Sequence, residues 1–109
     1  KIREIFEMTP RLLFVGHTHV PGVIDQECNF WHPGNDDCEF EFLPGRKYLV
    51  NVGSVGQPRD GDSRASYVLI EGNKATWRRI EYDFHATMKK MVRVGPLSSE
   101  SSDRLEYGR

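Results

Sequence analysis

Apolar residues open the chain at helical spacing: Ile2, Ile5 and Phe6 recur at i, i+3 and i+4 with charges between them, which predicts a helix over residues 1–9. Thr9-Pro10 ends it, because the residue before proline is pushed out of the helical region. Residues 12–15 are continuously apolar and of strand length, the pattern of a strand covered on both faces, with neighbours expected on both edges. A second strand is predicted over residues 20–24. Residues 25–37 are polar, carry Pro-Gly and Asn-Asp, and read as a loop. Glu39-Phe40-Glu41-Phe42 alternates strictly, as a half-buried strand does. Pro44-Gly45 turns the chain into a strand over 48–52, and a glycine-rich loop fills 53–64. Residues 66–70 and 75–82 flank Glu71-Gly72-Asn73-Lys74 as a hairpin. Asp83 then caps a helix over 84–93, with Phe84, Met88, Met91 and Val92 on one side. Residues 95–102 read as a Ser-rich linker, with Ser102 capping a last turn through Leu105. Helix, short strands, then helix gives an α+β chain with mostly antiparallel strands and a C-terminal helix.

Composition narrows the classes of function. The chain has 109 residues, 15 Lys plus Arg against 16 Asp plus Glu, and a net charge of −1. That balance argues against general nucleic-acid binding or a polybasic membrane contact. No apolar run approaches the ~20 residues that span a bilayer, and the opening Lys1-Ile2-Arg3-Glu4 has no apolar leader core. Two cysteines, Cys28 and Cys38, are too few for a disulfide framework and are expected to be reduced thiols of a cytoplasmic protein. The first residue is not Met, so the chain is expected to begin inside a longer product.

Gly16-His17-Thr18-His19 leaves the apolar strand. In extended backbone His17 and His19 would share one side, ~6.6–6.8 Å apart along the chain, a spacing that lets two imidazoles serve one metal ion or a pair of ions. The alternative is two exposed loop histidines. Asn51-Val52-Gly53-Ser54 leaves the strand over 48–52 into a loop with Arg59 and Arg64. Its backbone N–H groups and guanidinium forks suit an anion. The alternative is a tight loop whose arginines pair with Asp60 and Asp62. Cys28, His32 and Cys38 have zinc-site chemistry but no standard spacing and no evident fourth ligand, so a solvated loop is expected there. Phe30 and Trp31 are expected to fold over the sheet edge, Trp77 to be core, and Lys89-Lys90 to be a solvated helix face.

Residues 16–21 (GHTHVP) followed by 51–67 (NVGSVGQPRDGDSRASY) resemble the C-terminal half of a calcineurin-like metallophosphoesterase, of the bacterial and archaeal phosphoesterase branch. Val52 and Ser63 stand where that branch usually has proline. The likeness extends to Tyr82-Asp83 and to the closing Arg104-Leu105-x-x-Gly108-Arg109. It implies an α+β fold that is the C-terminal part of a four-layer α/β/β/α sandwich. The domain would be single and incomplete over 1–109, with a variable loop and strand insertion at 25–44 and a tail at 95–109. The implied activity is hydrolysis of phosphate mono- or diesters by a metal-bound hydroxide. Its cofactors would be two divalent ions, chosen among Mn, Fe, Zn, Ni and Co.

Carried over residue by residue, the resemblance makes His17 and His19 metal ligands and Asn51, Ser54, Arg59 and Arg64 substrate contacts. The family's earlier motifs, Asp-x-His, Gly-Asp-x-x-Asp, Gly-Asn-His-Asp/Glu and a lone His, should precede Gly16. The fifteen residues before it contain no His, Asp or Asn. This stretch alone is therefore expected to be nearly inactive. Its expected partners are a phosphate-ester substrate and either the missing N-terminal half or a second copy of the chain. The rival reading is a non-catalytic interaction scaffold with the same fold.

Overall fold

The computed structural model describes residues 1–34, 36–95 and 99–109. Its elements run α1 (Ile2–Met8), β1 (Leu12–Val15), β2 (Gly22–Asp25), β3 (Phe30–Trp31), β4 (Cys38–Glu41), β5 (Tyr48–Asn51), β6 (Ala65–Glu71), β7 (Lys74–Ile80), α2 (Phe84–Val94) and α3 (Ser99–Tyr107). Two sheets form. One has the order β1-β5-β2-β3 and the other β4-β7-β6. Every pairing is antiparallel except β1 with β5.

Period-2 alternation decides which residues lie between the sheets. Val23, Tyr48 and Val50 from one sheet meet Phe42, Ala75 and Trp77 from the strand region of the other, and all six are buried. Aromatic rings dominate that layer. Trp31 lies 5.1 Å from Phe40 and 5.4 Å from Trp77, and Tyr48 lies 5.2 Å from Phe42, centroid to centroid. Such tilted and edge-on pairs add to the stabilisation from area burial. The Trp77 indole N–H donates to the Asn51 carbonyl at 3.2 Å, so the largest core residue also anchors the end of β5.

The helices keep their sequence signals. Thr9 at the end of α1 is extended and donates its hydroxyl to the Ile5 carbonyl at 2.8 Å. Asp83 caps α2, accepting from the Ala86 N–H at 3.1 Å. No helix among the described residues is long and apolar enough to cross a membrane.

Several expectations are corrected. Residues 12–15 are not covered on both faces and both edges. β1 is an edge strand, paired only with β5 among the described residues, and Phe14 is 48% exposed. The stretch 25–37 is not all loop, because Phe30–Trp31 pairs with β2. A two-residue strand is too short for alternation to announce it. The strand expected over 20–24 begins at Gly22, where a Cβ would lie 2.5 Å from the Phe30 ring. The linker expected over 95–102 gives way to α3 from Ser99; residues 96–98 lie outside the described residues. Ser102, expected as a cap, is buried within that helix. Cys28 and Cys38 are free thiols, Cys28 exposed.

Candidate metal and phosphate site

β1 and β5 run parallel and in register, Val15 opposite Asn51, so the loops that follow them emerge side by side. This brings residues 16–21 and 52–64, distant in sequence, to the carboxyl end of these two strands. Ends of adjacent parallel strands are where open sheets commonly place ligand sites.

Asn51 joins the two loops. Its buried side-chain amide donates to the Thr18 hydroxyl at 2.8 Å and to the Gly16 carbonyl at 3.3 Å, while its oxygen accepts from the Gly53 N–H at 3.0 Å. Both donors and one acceptor lone pair are therefore engaged within the protein. Asn51 thereby fixes the backbone around the histidines.

His17 and His19 have φ of 76° and 61°. The extended geometry expected for this segment is overturned: both residues lie in the left-handed region. The Thr18 N–H closes a tight turn on the Gly16 carbonyl at 3.0 Å. A non-glycine residue with positive φ persists where surrounding contacts impose it, and such residues cluster at functional sites. His19 is pinned further. Its Nδ1 lies 2.8 Å from the Gln57 carbonyl, and its own carbonyl accepts from the Arg59 N–H at 3.1 Å. A carbonyl only accepts, so Nδ1 carries the proton and the Nε2 lone pair is free. This is the arrangement of a metal-ligating imidazole with its other nitrogen held by the protein. His17 is exposed.

In the second loop the Ser54 hydroxyl accepts from the Gln57 N–H at 2.9 Å, and the Ser54 carbonyl accepts from the Ser66 N–H at 2.9 Å. Arg59 is exposed, its guanidinium reaching only the Gln57 side-chain oxygen at 3.4 Å. Arg64 is engaged with Asp62 through Nε at 3.0 Å and Nη2 at 2.8 Å. Burial would raise the Asp62 carboxyl. The Arg64 hydrogen bonds and the charges of Arg64 and Arg79 outweigh it and hold the group below its usual value. The same bridge raises the Arg64 guanidinium.

Sequence reasoning missed Arg79. Its guanidinium, 3% exposed, forms a close ion pair with Asp60, equally buried, and donates to the Arg64 carbonyl at 3.2 Å. The tight-loop alternative pairs Asp60 with an arginine of its own loop; in the structure its partner comes from β7 instead. The signal was legible: Arg79 is in phase with Ala75 and Trp77, so a charge sits on the inward-facing side of β7. The His32 Nε2 lies 3.7 Å from Asp60, while its Nδ1 accepts from the Gly34 N–H at 2.9 Å. His32 thus serves the loop rather than Cys28 and Cys38. Among the described residues, no three His, Cys, Asp or Glu side chains gather as a metal site would require.

No protein-family profile matches the chain. An uncharacterized protein of Methanocaldococcus jannaschii is 40% identical over 101 residues, covering 90% of this chain and 40% of its own length. The crystal structure of a metallophosphoesterase from Sphaerobacter thermophilus superposes with a TM-score of 0.81 at 39% identity, covering 90% of this chain and 42% of that one. The chain spans about two fifths of the length of these relatives. Over nine-tenths of its length, then, this mixed α+β chain has the fold of a portion of a metallophosphoesterase.

Proposed function

We propose that this chain supplies His17 and His19 to the dinuclear metal site of a phosphoesterase acting on phosphate mono- or diesters. The observation that carries the reading is the His19 ring, with Nδ1 held by the Gln57 carbonyl and Nε2 free, in a fold shared with a metallophosphoesterase at 39% identity. Two imidazoles fit such a site as part of a ligand set. They do not complete one, since a catalytic ion generally takes about three protein ligands. Bound divalent ions would polarise the phosphoryl group and lower the pKa of water.

The chain's own residues do the positioning. Asn51 fixes the turn that carries both histidines. Gln57 sets the His19 tautomer. Arg59 ties this loop to His19 through its backbone N–H, and the Ser54 hydroxyl contacts phosphate oxygens. Arg64, braced on Asp62, shapes the loop and contributes positive field.

The remaining ligands come from a partner polypeptide segment, either the rest of a longer chain or a second copy. The open edge of β1 and the apolar surface formed by Val15, Val20, Ile24, Leu49 and Phe30 support that reading. Unpaired edges and large apolar patches recruit neighbours. The test is hydrolysis of a generic phosphodiester with added Mn²⁺. The 109-residue chain alone should show no turnover. A longer form carrying the additional residues of its relatives should turn over, and His19→Ala in that form should abolish it. A longer form that is inactive with every divalent ion tried would favour the scaffold reading instead.

A further inference from the structure

A second concavity adjoins the 53–64 loop and α3. It measures about 480 Å³ and is lined by Arg59, Glu100, Asp103, Arg104, Tyr107 and Arg109, a size suited to a small organic ligand. Backbone hydrogen bonds build both of its walls. The Gly61 N–H donates to the Gly108 carbonyl at 2.9 Å, clamping the end of α3 onto the loop. Gly108 has φ of 63°, and a Cβ there would lie 2.6 Å from the Asp62 nitrogen, so the approach requires glycine. The Arg109 N–H donates to the Arg104 carbonyl at 3.0 Å, which sets the two arginines together. Glu100, Asp103, Arg104 and Tyr107 follow i, i+3, i+4 and i+7 spacing, so α3 turns one whole face to the cavity. Its opposite face, with Ser102 and Leu105, is buried.

The charges are sorted rather than neutralised. No ion pair within 4.0 Å ties Arg59, Arg104 or Arg109 to a carboxylate among the described residues. Arg59 reaches only Gln57, and Arg109 lies over the Tyr107 ring at 5.7 Å. Three guanidinium groups suit a phosphate through forked charge-assisted bonds. Two carboxylates in the same cavity repel a simple polyanion but accept from hydroxyl groups. We infer that the cavity binds a phosphorylated polyhydroxyl compound, its phosphate on Arg59, Arg104 and Arg109 and its hydroxyls on Glu100 and Asp103. The inference is independent of metal chemistry.

The experiment is calorimetric titration of the 109-residue chain with ribose 5-phosphate, AMP and inorganic phosphate, all with EDTA present. Chelation keeps its outcome separate from that of the hydrolysis test. Ribose 5-phosphate is expected to bind saturably in the millimolar range or tighter, shifting the Arg59 and Gly61 amide resonances. Arg104→Ala and Arg109→Ala should each weaken it by about ten-fold, with the circular dichroism spectrum unchanged because both side chains are exposed. Glu100→Gln should weaken ribose 5-phosphate and leave inorganic phosphate unaffected or tighter. Both sources fit the inference: tighter AMP identifies a nucleotide, and equal or weaker AMP a sugar phosphate. Failure to saturate, or equal affinity in the arginine variants, overturns the site.

Discussion

Gly53→Ala tests whether the two loops of the candidate site are locked by close packing. Gly53 has φ of 83°, and a Cβ built there would lie 2.7 Å from Ser66 Oγ, 2.9 Å from Ser66 Cβ and 3.3 Å from Pro21 Cβ. Ser66 cannot swing aside: it is buried and its hydroxyl donates to the Val52 carbonyl at 3.0 Å. The left-handed conformation costs an alanine about 1–2 kcal/mol, and forcing a methyl into a packed site costs about 1–3 kcal/mol more. Reduced freedom of the unfolded chain offsets about 0.4–1 kcal/mol. The net expectation is a loss of about 1–5 kcal/mol, read by urea unfolding at unchanged slope. Ser66→Gly provides the control, since it removes the clash but not the backbone strain. Gly53→Ala should therefore cost less in that background than alone. Unchanged or increased stability of the single variant, or equal cost in both backgrounds, would refute the packing argument.

Asn51→Ala removes three hydrogen bonds from a buried group and leaves the Gly53 N–H and Thr18 hydroxyl without that partner; a loss of about 1–3 kcal/mol is expected, with faster amide exchange at Thr18. Arg64→Met should weaken acid resistance. Asp62 titrates below its ordinary 3.8 in the folded chain, so its contribution is full above that pH and is lost as the pH falls through the lower folded value. Without Arg64 the acid-unfolding midpoint should move up, and an unmoved midpoint would discard the bridge as a source of stability. Trp31→Ala opens the aromatic layer between Phe40 and Trp77 and should cost about 3 kcal/mol in thermal or urea unfolding; a loss under about 0.5 kcal/mol would mean that Trp31 is not part of the core.

Local signals sufficed for much of the fold. Proline after Thr9, Asp83 before its helix, the Glu-Gly-Asn-Lys turn and the alternation at residues 39–42 each act within a few residues, so their physics is present in the letters. The two loops of the candidate site were also legible as segments, because glycines, histidines and arginines cluster there. Their geometry was not. Extended backbone was the natural reading of Gly16-His17-Thr18-His19, yet Asn51, thirty-odd residues on, bends that segment by claiming Gly16 and Thr18. Arg79 reaches Asp60 only because β7 lies under the loop. Serine-rich residues 99–102 have weak helical propensity alone, and α3 gains its place from Leu105 and Ser102 being buried and from Gly108 docking on Asp62. The sequence by itself determined the element types and the chemistry on offer. Register, the left-handed histidines and the sorting of charges in the second cavity were decided by tertiary structure, because each depends on contacts between segments whose separation along the chain carries no local signal.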